Sequence, residues 1–342
     1  MIIRARAPLR LGLAGGGTDV SPYCDKYGGF VLNATIDRYA YTVLSTLERP
    51  FARFVSIDQA IESEVGLNNP LLLDGQLNLH KAVFNYFVKN FNDNKPIPLE
   101  LSTFCDVPVG SGLGSSSTLV VSMICAFAEL LNLPLDDYTI ARTAYQIERL
   151  DCGLQGGRQD QYSATFGGFN FMEFYADEHA LINPLRIKDW IICELESSLV
   201  LYFTGVSRES ACIIADQSNN VTSGAIDALE AMHGIKREAL VMKECLLRGD
   251  FEGLAESMRL GWENKKLSAK TVSNPHINAI YDAAIHAGAL AGKVSGAGGG
   301  GFMWFFVPTE KRMDVIRTLN GFGGQVSGCH FTNHGIQPWR IG

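Results

Sequence analysis

Glycine sets the first limit on what this chain can build. The 35 glycines gather in Gly12–Gly17, Gly110–Gly114 and Gly292–Gly301, with a smaller group at Gly153–Gly157. A residue without a Cβ admits positive φ and close approach of backbone to a neighbour or ligand. Clusters set among strongly apolar segments therefore predict loops that press against something, rather than linkers. Lys293–Gly301 runs directly into the apolar strand predicted at Phe302–Val307, which favours a ligand-facing loop there.

The pattern between the clusters is mixed. Alternation and β-branched or aromatic content predict strands at Ile2–Ala7, Gly29–Leu32, Tyr39–Thr46, Leu99–Phe104, Leu185–Leu195, Leu199–Thr204, Phe302–Val307 and Gln325–Phe331. Helical spacing predicts helices at Leu79–Asn90, Asp136–Leu150, Ser223–Leu247, Asp250–Leu267, Ile277–His286 and Glu310–Leu319. Thr118–Leu131 is apolar on nearly all sides and reads as a buried helix, with the serines before it as N-cap candidates. A length of 342 residues suggests two domains. The change is placed near Asn183-Pro184, giving 1–184 and 185–342.

Composition excludes several classes. The net charge of −7 argues against a general nucleic-acid binder. The eight cysteines form no CxxC pair and no Cys/His cluster, so neither zinc nor a disulfide framework is expected; buried thiols in a reducing compartment are. No signal-peptide core opens the chain, and Leu119–Leu131 is shorter than the ~20 residues a membrane helix needs. A cytoplasmic protein without membrane or nucleic-acid partners is expected, with a homo-oligomer left open.

Four segments carry chemistry. Pro108–Ser117 is glycine-rich backbone entering a helix, where clustered N–H groups and the helix dipole suit phosphate. It is not a Walker A loop, since no Gly-Lys-Ser/Thr closes it. It is a poor dinucleotide fingerprint, since Ser115 stands where a third Gly or Ala belongs. A tight turn before a core helix would use the same residues. Pro8–Asp19 places Arg10 before small residues and the pair Thr18-Asp19; Glu148–Gln161 places one carboxylate at a helix end and another, Asp160, after a glycine-rich bend. Lys293–Gly301 is the fourth.

Together these segments resemble the GHMP kinases, the family of galactokinase, homoserine kinase, mevalonate kinase and phosphomevalonate kinase, over essentially the whole chain. The Pro-x-x-x-Gly-Leu-Gly-Ser-Ser pattern of Pro108–Ser116 is the most specific match. Arg10 and Asp19 keep the spacing of the galactokinase first motif, and Glu148 with Asp160-Gln161 matches its Glu and Asp-Gln. Gly16-Gly17 replaces the Glu-His that helps galactokinases hold their sugar. Pro8–Asp19, Gly156–Tyr162, Phe166–Asn170 and Trp262–Ser268 are instead similar to the branch acting on a heptose 7-phosphate, with L-fucose kinases nearby.

The resemblance implies an α+β, two-domain GHMP kinase fold: a ribosomal S5 domain 2-like N-terminal part and a ferredoxin-like C-terminal part, with the site between them. It implies ATP and Mg²⁺, and transfer of the γ-phosphoryl to the anomeric hydroxyl of a sugar phosphate. Asp160 would be the base and Arg10 its partner at the developing charge, keeping it ionised. Pro108, Gly110, Ser111, Gly112, Leu113, Gly114, Ser115, Ser116 and Ser117 would bind ATP. Ser116 and Glu148 would bind the metal. Gly16, Gly17, Thr18, Asp19, Gly296, Gly298, Arg208 and Lys265 would bind substrate, with Lys265 or Arg208 taking its phosphate; Arg158, Lys266 and Lys270 are further cations considered there. The competing readings are another sugar-1-kinase such as an L-fucokinase, a catalytically silent sugar and nucleotide sensor, and a nicotinamide-dependent dehydrogenase, which lacks an acidic strand end at the required distance.

Overall fold

The computed structural model describes residues 1–67, 70–206 and 210–341. The first half runs β1 (Ile2–Ala14), α1 (Tyr23–Tyr27), β2 (Gly29–Thr46), β3 (Phe51–Ser56), β4 (Ile61–Gly66), α2 (Asn78–Phe91) and β5 (Leu99–Cys105). Then come α3 (Ser115–Leu131), α4 (Asp137–Tyr145) with a π turn (Gln146–Asp151), α5 (Gln159–Phe166), β6 (Phe169–Phe174) and β7 (Ala180–Pro184). The second half holds α6 (Asp189–Ser198), β8 (Leu199–Phe203), α7 (Ser210–Thr222), α8 (Ile226–Arg248), α9 (Phe251–Ser268) and α10 (Pro275–His286). It ends with β9 (Ala291–Val294), β10 (Phe302–Phe306), α11 (Arg312–Asn320), β11 (Gln325–Ser327) and β12 (Gln337–Ile341).

Two sheets result, and the fold is α+β as expected. The larger has eight strands in the order β12-β1-β2-β5-β3-β4, with β6 on β2 and β7 on β6. The smaller is antiparallel, β11-β8-β10-β9. The predicted strands at Gly29–Leu32 and Tyr39–Thr46 are one long strand, β2, which pairs with β1 along its length and with β5 and β6 in succession. The strand predicted at Leu185–Leu195 is corrected: Asp189–Ser198 is a helix that buries Ile191, Leu195 and Ser198. Those spacings of 3 and 4 mark one helical face, which a search for strand residues overlooks. The chain end also departs from a simple two-part division, because β12 pairs antiparallel with β1, Ile2 opposite Ile341.

The apolar pattern explains the packing. α3 buries residues on every side, among them Val120, Val121, Ile124 and Phe127, within a core that also holds Phe84 and Phe87 of α2 and Leu99 and Leu101 of β5. A second core joins α10, α11 and the small sheet. A third runs through both halves: Leu9 and Leu11 of β1, Leu113, Phe169, Met242 of α8, Met258 of α9 and Trp304 of β10 belong to one cluster. The floor between the two sheets is therefore close-packed, and close-packed interiors hold positions to fractions of an ångström. The eight cysteines are free, but only Cys24, Cys125, Cys245 and Cys329 are buried; Cys193 and Cys212 are exposed, which corrects the expectation of uniformly buried thiols. Among the described residues no helix is long and apolar enough to cross a membrane.

Candidate active site

A cavity of about 560 Å³ opens between the two halves, and the four motif segments converge on it. Arg10 enters from β1. The β1–β2 register shifts between Pro8 and Arg10 and again between Gly12 and Ala14, and such bulges re-aim a side chain out of strict alternation. The Arg10 guanidinium is almost fully buried. Its Nε donates to Asp160 Oδ1 at 2.7 Å, and its Nη1 to the Gly112 carbonyl at 2.7 Å. One side chain thus ties the acidic residue to the glycine-rich loop.

That loop leads into α3 through Gly114, which is left-handed (φ 81°) and leaves the first turn without a side-chain cap. The expectation that the serines cap this helix is corrected. They occupy the first turn itself, and among the described residues no side chain claims its N–H groups, as an anion site requires. A Cβ on Gly114 would lie 3.1 Å from Asp160 Cγ, so the glycine lets the carboxylate sit against the helix start. Gly110, Gly112, Gly114, Ser115, Ser116 and Ser117 line the cavity. Three other residues predicted there do not. Leu113 is wholly buried in the shared core, the Ser111 hydroxyl is buried with no partner among the described residues, and the exposed Pro108 accepts the Ser111 N–H through its carbonyl.

Glu148 lies on the π turn that extends α4, and the next residue, Arg149, lines the same cavity. Single π turns inside α-helices are frequent at functional sites. Glu148 is 1% exposed. Its Oε2 accepts from Ser117 Oγ and Gln161 Nε2, each at 2.6 Å, and its Oε1 lies 3.2 Å from Arg149 Nη1. The serine touching Glu148 is thus Ser117; Ser116 lines the cavity half-buried.

The predicted substrate residues divide. Gly17, Asp19, Lys265 and Gly296 line the cavity. Gly16 borders it through Lys265 and Gln159, which a Cβ there would meet at 3.9 and 3.6 Å. Thr18 is buried, its hydroxyl between the carbonyls of Gly15 and Phe30. Gly298 is turned away from the cavity against Val272. Arg208 lies outside the described residues. Arg158 faces Asp25 and the Tyr175 carbonyl, and Lys266 pairs with Glu263.

Asp19 departs most from its expected role. Its Oδ1 accepts from Gly17 N at 3.1 Å and Gln159 Nε2 at 2.9 Å; its Oδ2 accepts from Arg158 N at 2.9 Å and Gln159 N at 3.0 Å. A carboxylate offers about four acceptor positions, so none is left for a sugar hydroxyl.

Two buried lysines accompany the site, Lys265 in its lining and Lys293 behind it. Lys265 donates to the Gly296 carbonyl. Burial, aided by Arg10, lowers it to about 8, against the pull of Asp19 and Asp160. Lys293 donates to the Leu13 carbonyl at 3.0 Å, and burial holds it well below the usual lysine range. Lys293, Arg149 and Gln159 lie inside the motif segments without being among the expected site residues, and no motif marks Gln217.

An arginine–carboxylate pair set over an uncapped helix start suits a reaction that needs phosphate alignment and charge neutralisation. Residues 78–168 match the GHMP kinases N terminal domain and residues 242–323 the GHMP kinases C terminal. The chain is 50% identical over 339 residues to the D-glycero-alpha-D-manno-heptose 7-phosphate kinase of Campylobacter jejuni, covering 99% of each. It is also similar to the crystal structure of a D-glycero-D-manno-heptose 1-phosphate kinase from Bacteroides thetaiotaomicron, with 43% identity, a TM-score of 0.84 and 99% of each chain covered. An L-fucokinase/L-fucose-1-P guanylyltransferase of Bacteroides fragilis is 26% identical over 341 residues, 93% of this chain and 36% of that one. The chain belongs to the GHMP kinases, and it is a sugar kinase of that family, a phosphotransferase that uses ATP.

Proposed function

We propose that this protein transfers the γ-phosphoryl of ATP to the anomeric hydroxyl of D-glycero-D-manno-heptose 7-phosphate, giving the 1,7-bisphosphate. The observation that carries this reading is the Arg10–Asp160 ion pair, at 2.7 Å, set against the uncapped start of α3 in one cavity. The Campylobacter jejuni relative supports the choice of sugar.

Phosphoryl transfer asks the protein mainly for alignment and charge neutralisation. In this reading Gly110–Ser117 receives the phosphates through backbone N–H groups and the α3 dipole. Asp160 takes the proton of the attacking hydroxyl, and Arg10 holds that carboxylate and faces the charge that develops. Lys265 receives the 7-phosphate: it is the cavity's one lysine among the described residues, while Arg10 serves Asp160 and Arg149 serves Glu148. A sugar that brings its own dianion would also favour the charged form of this buried ammonium.

The donor set suits Mg²⁺. Among the described residues no three His, Cys, Asp or Glu side chains gather to hold a metal alone. Glu148, with the hydroxyl of Ser116 or Ser117, supplies hard oxygens and leaves room for nucleotide oxygens and water, the usual company of this ion. Bound there, the ion would neutralise phosphate charge. We also place the division of the chain at 184/185, with β12 belonging to the first sheet, and the protein in the cytoplasm.

The test is a coupled ADP-release assay with ATP, Mg²⁺ and a panel of free heptose, heptose 7-phosphate, L-fucose and D-galactose. Heptose 7-phosphate should show the highest kcat/KM by at least tenfold. Equal constants for free heptose would remove the 7-phosphate contact, and preference for L-fucose would replace the sugar.

A further inference from the structure

We propose that the sugar hydroxyls are read by two glutamine carbonyl oxygens, Gln159 Oε1 and Gln217 Oε1, while Asp19 acts as a positioning residue. The inference rests on the reading of this cavity as a sugar site. It begins from Asp19, whose four acceptor positions are filled by N–H donors.

The two glutamines flank the turn that Asp19 holds. Gln159 opens α5, and Gln217 projects from α7 across the cavity; both line it. Each amide is fixed in orientation by its nitrogen. Gln159 Nε2 faces Asp19 Oδ1 at 2.9 Å, and a carboxylate only accepts, so the NH₂ must point there. Gln217 Nε2 faces Ser268 Oγ at 2.8 Å, and that hydroxyl already spends its proton on the Lys265 carbonyl at 2.7 Å, so it can only accept from the amide. Both Oε1 atoms are thereby left as acceptors. Among the described residues no donor reaches either one.

Gly16 and Gly17 provide the space between them. A Cβ on Gly17 would lie 3.5 Å from Gln217 Oε1, and one on Gly16 would lie 3.9 Å from Gln159 Oε1 and 3.9 Å from Lys265 Nζ. Two acceptors and one ammonium thus surround a gap left by missing side chains. Such a gap suits a polyhydroxylated sugar carrying an anionic group. A site built around hydrogen-bond partners rejects ligands that lack the matching hydroxyl far more strongly than an apolar pocket does.

The test compares Gln217→Leu, Gln159→Leu and Gly16→Ala with wild type. Gly16→Ala guards against misfolding, because the added methyl makes only ordinary contacts at 3.6–3.9 Å and φ there is not positive. Wild type is first assayed with heptose 7-phosphate and L-fucose, which decides the substrate reading; the variants are then titrated with the sugar that is turned over. The sugar KM should rise about tenfold or more in all three, with the ATP KM within twofold. Asp19→Asn should instead lower kcat with the sugar KM within about threefold. Unchanged sugar KM in both leucine variants, or a tenfold rise in sugar KM with intact kcat in Asp19→Asn, would overturn the proposal.

Discussion

The Asp19 carboxylate closes the N-terminus of the helix whose first turn carries Asp160. It accepts the backbone N–H groups of Arg158, the residue before the helix, and of Gln159, its first residue, at 2.9 and 3.0 Å, two of the amides that a helix start leaves without an intrahelical partner. A residue of the Pro8–Asp19 segment therefore sets the position of the acidic residue in the Glu148–Gln161 segment. A buried N–H group left without its acceptor costs about 1–3 kcal/mol. Asp19→Ala should lower the melting temperature and reduce kcat by at least tenfold. Thermal unfolding and steady-state kinetics on the same preparation check both; a variant with wild-type kcat would show that these hydrogen bonds do not position Asp160.

Asp160→Asn keeps the shape of the side chain and removes the base. General base action contributes about 10²–10⁴ in rate, so kcat should fall by that factor while ATP still binds, as measured by calorimetry. Turnover above half of wild type would exclude Asp160 as the proton acceptor.

The Glu148 environment separates two serines. Ser117 Oγ donates to Glu148 Oε2 at 2.6 Å, whereas Ser116 lines the cavity without touching Glu148. Glu148→Gln should raise the Mg²⁺ concentration needed for half-maximal activity and weaken MgATP binding more than binding of metal-free ATP. Comparing Ser116→Ala with Ser117→Ala in the same two titrations tells which hydroxyl serves the ion. An unchanged magnesium requirement in Glu148→Gln would remove the carboxylate from that role.

Lys265 gives the site a pH dependence. Its value of about 8 leaves it charged at pH 7 and mostly neutral at pH 9. The KM for a sugar phosphate should therefore rise about tenfold between pH 7 and 9, and the KM for the unphosphorylated sugar should not. The effect on stability has the opposite direction. Between about pH 8 and 10.4 the unfolded chain binds the proton that native Lys265 has lost, so the penalty of burying this ammonium is fully present below pH 8 and lifts as pH rises through that window. Lys265→Met should abolish the rise in KM above pH 8; its persistence would assign the titration to another group.

Much of this arrangement is legible in the chain because backbone chemistry leaves marks. The Gly110–Ser117 run and the apolar helix after it are local features, and so are Glu148 and Asp160 with their fixed spacing. What stayed hidden depends on partners distant in sequence. Nothing near Asp19 announces that its acceptors go to Gln159 and Arg158. Nothing near Gln217 says that Ser268 will turn its amide. The π turn that presents Glu148 and Arg149 side by side has no residue signature, and β12 returns to β1 through a pairing that alternation alone does not assign. Leu185–Leu195 reads as a strand because the apolar face of the helix Asp189–Ser198 is short and mixed with exposed Trp190 and Cys193.

Gly298 tests how far the third glycine segment is scaffold and not ligand surface. Its φ is +119°, and a Cβ there would lie 2.6 Å from the Val272 carbonyl oxygen and 3.0 Å from Val272 Cα. Both contacts are backbone atoms, which cannot rotate out of the way. The same carbonyl accepts the Gly299 N–H at 2.8 Å, so moving it would break a hydrogen bond as well. A non-glycine residue in so unfavourable a conformation costs about 1–3 kcal/mol before the clash is counted. Gly298→Ala should thus lower the melting temperature by several degrees, while the enzyme that remains folded keeps its sugar and ATP KM within twofold. Differential scanning calorimetry paired with kinetics below the transition separates the two effects. A stable Gly298→Ala variant with a raised sugar KM would return this glycine to the substrate surface.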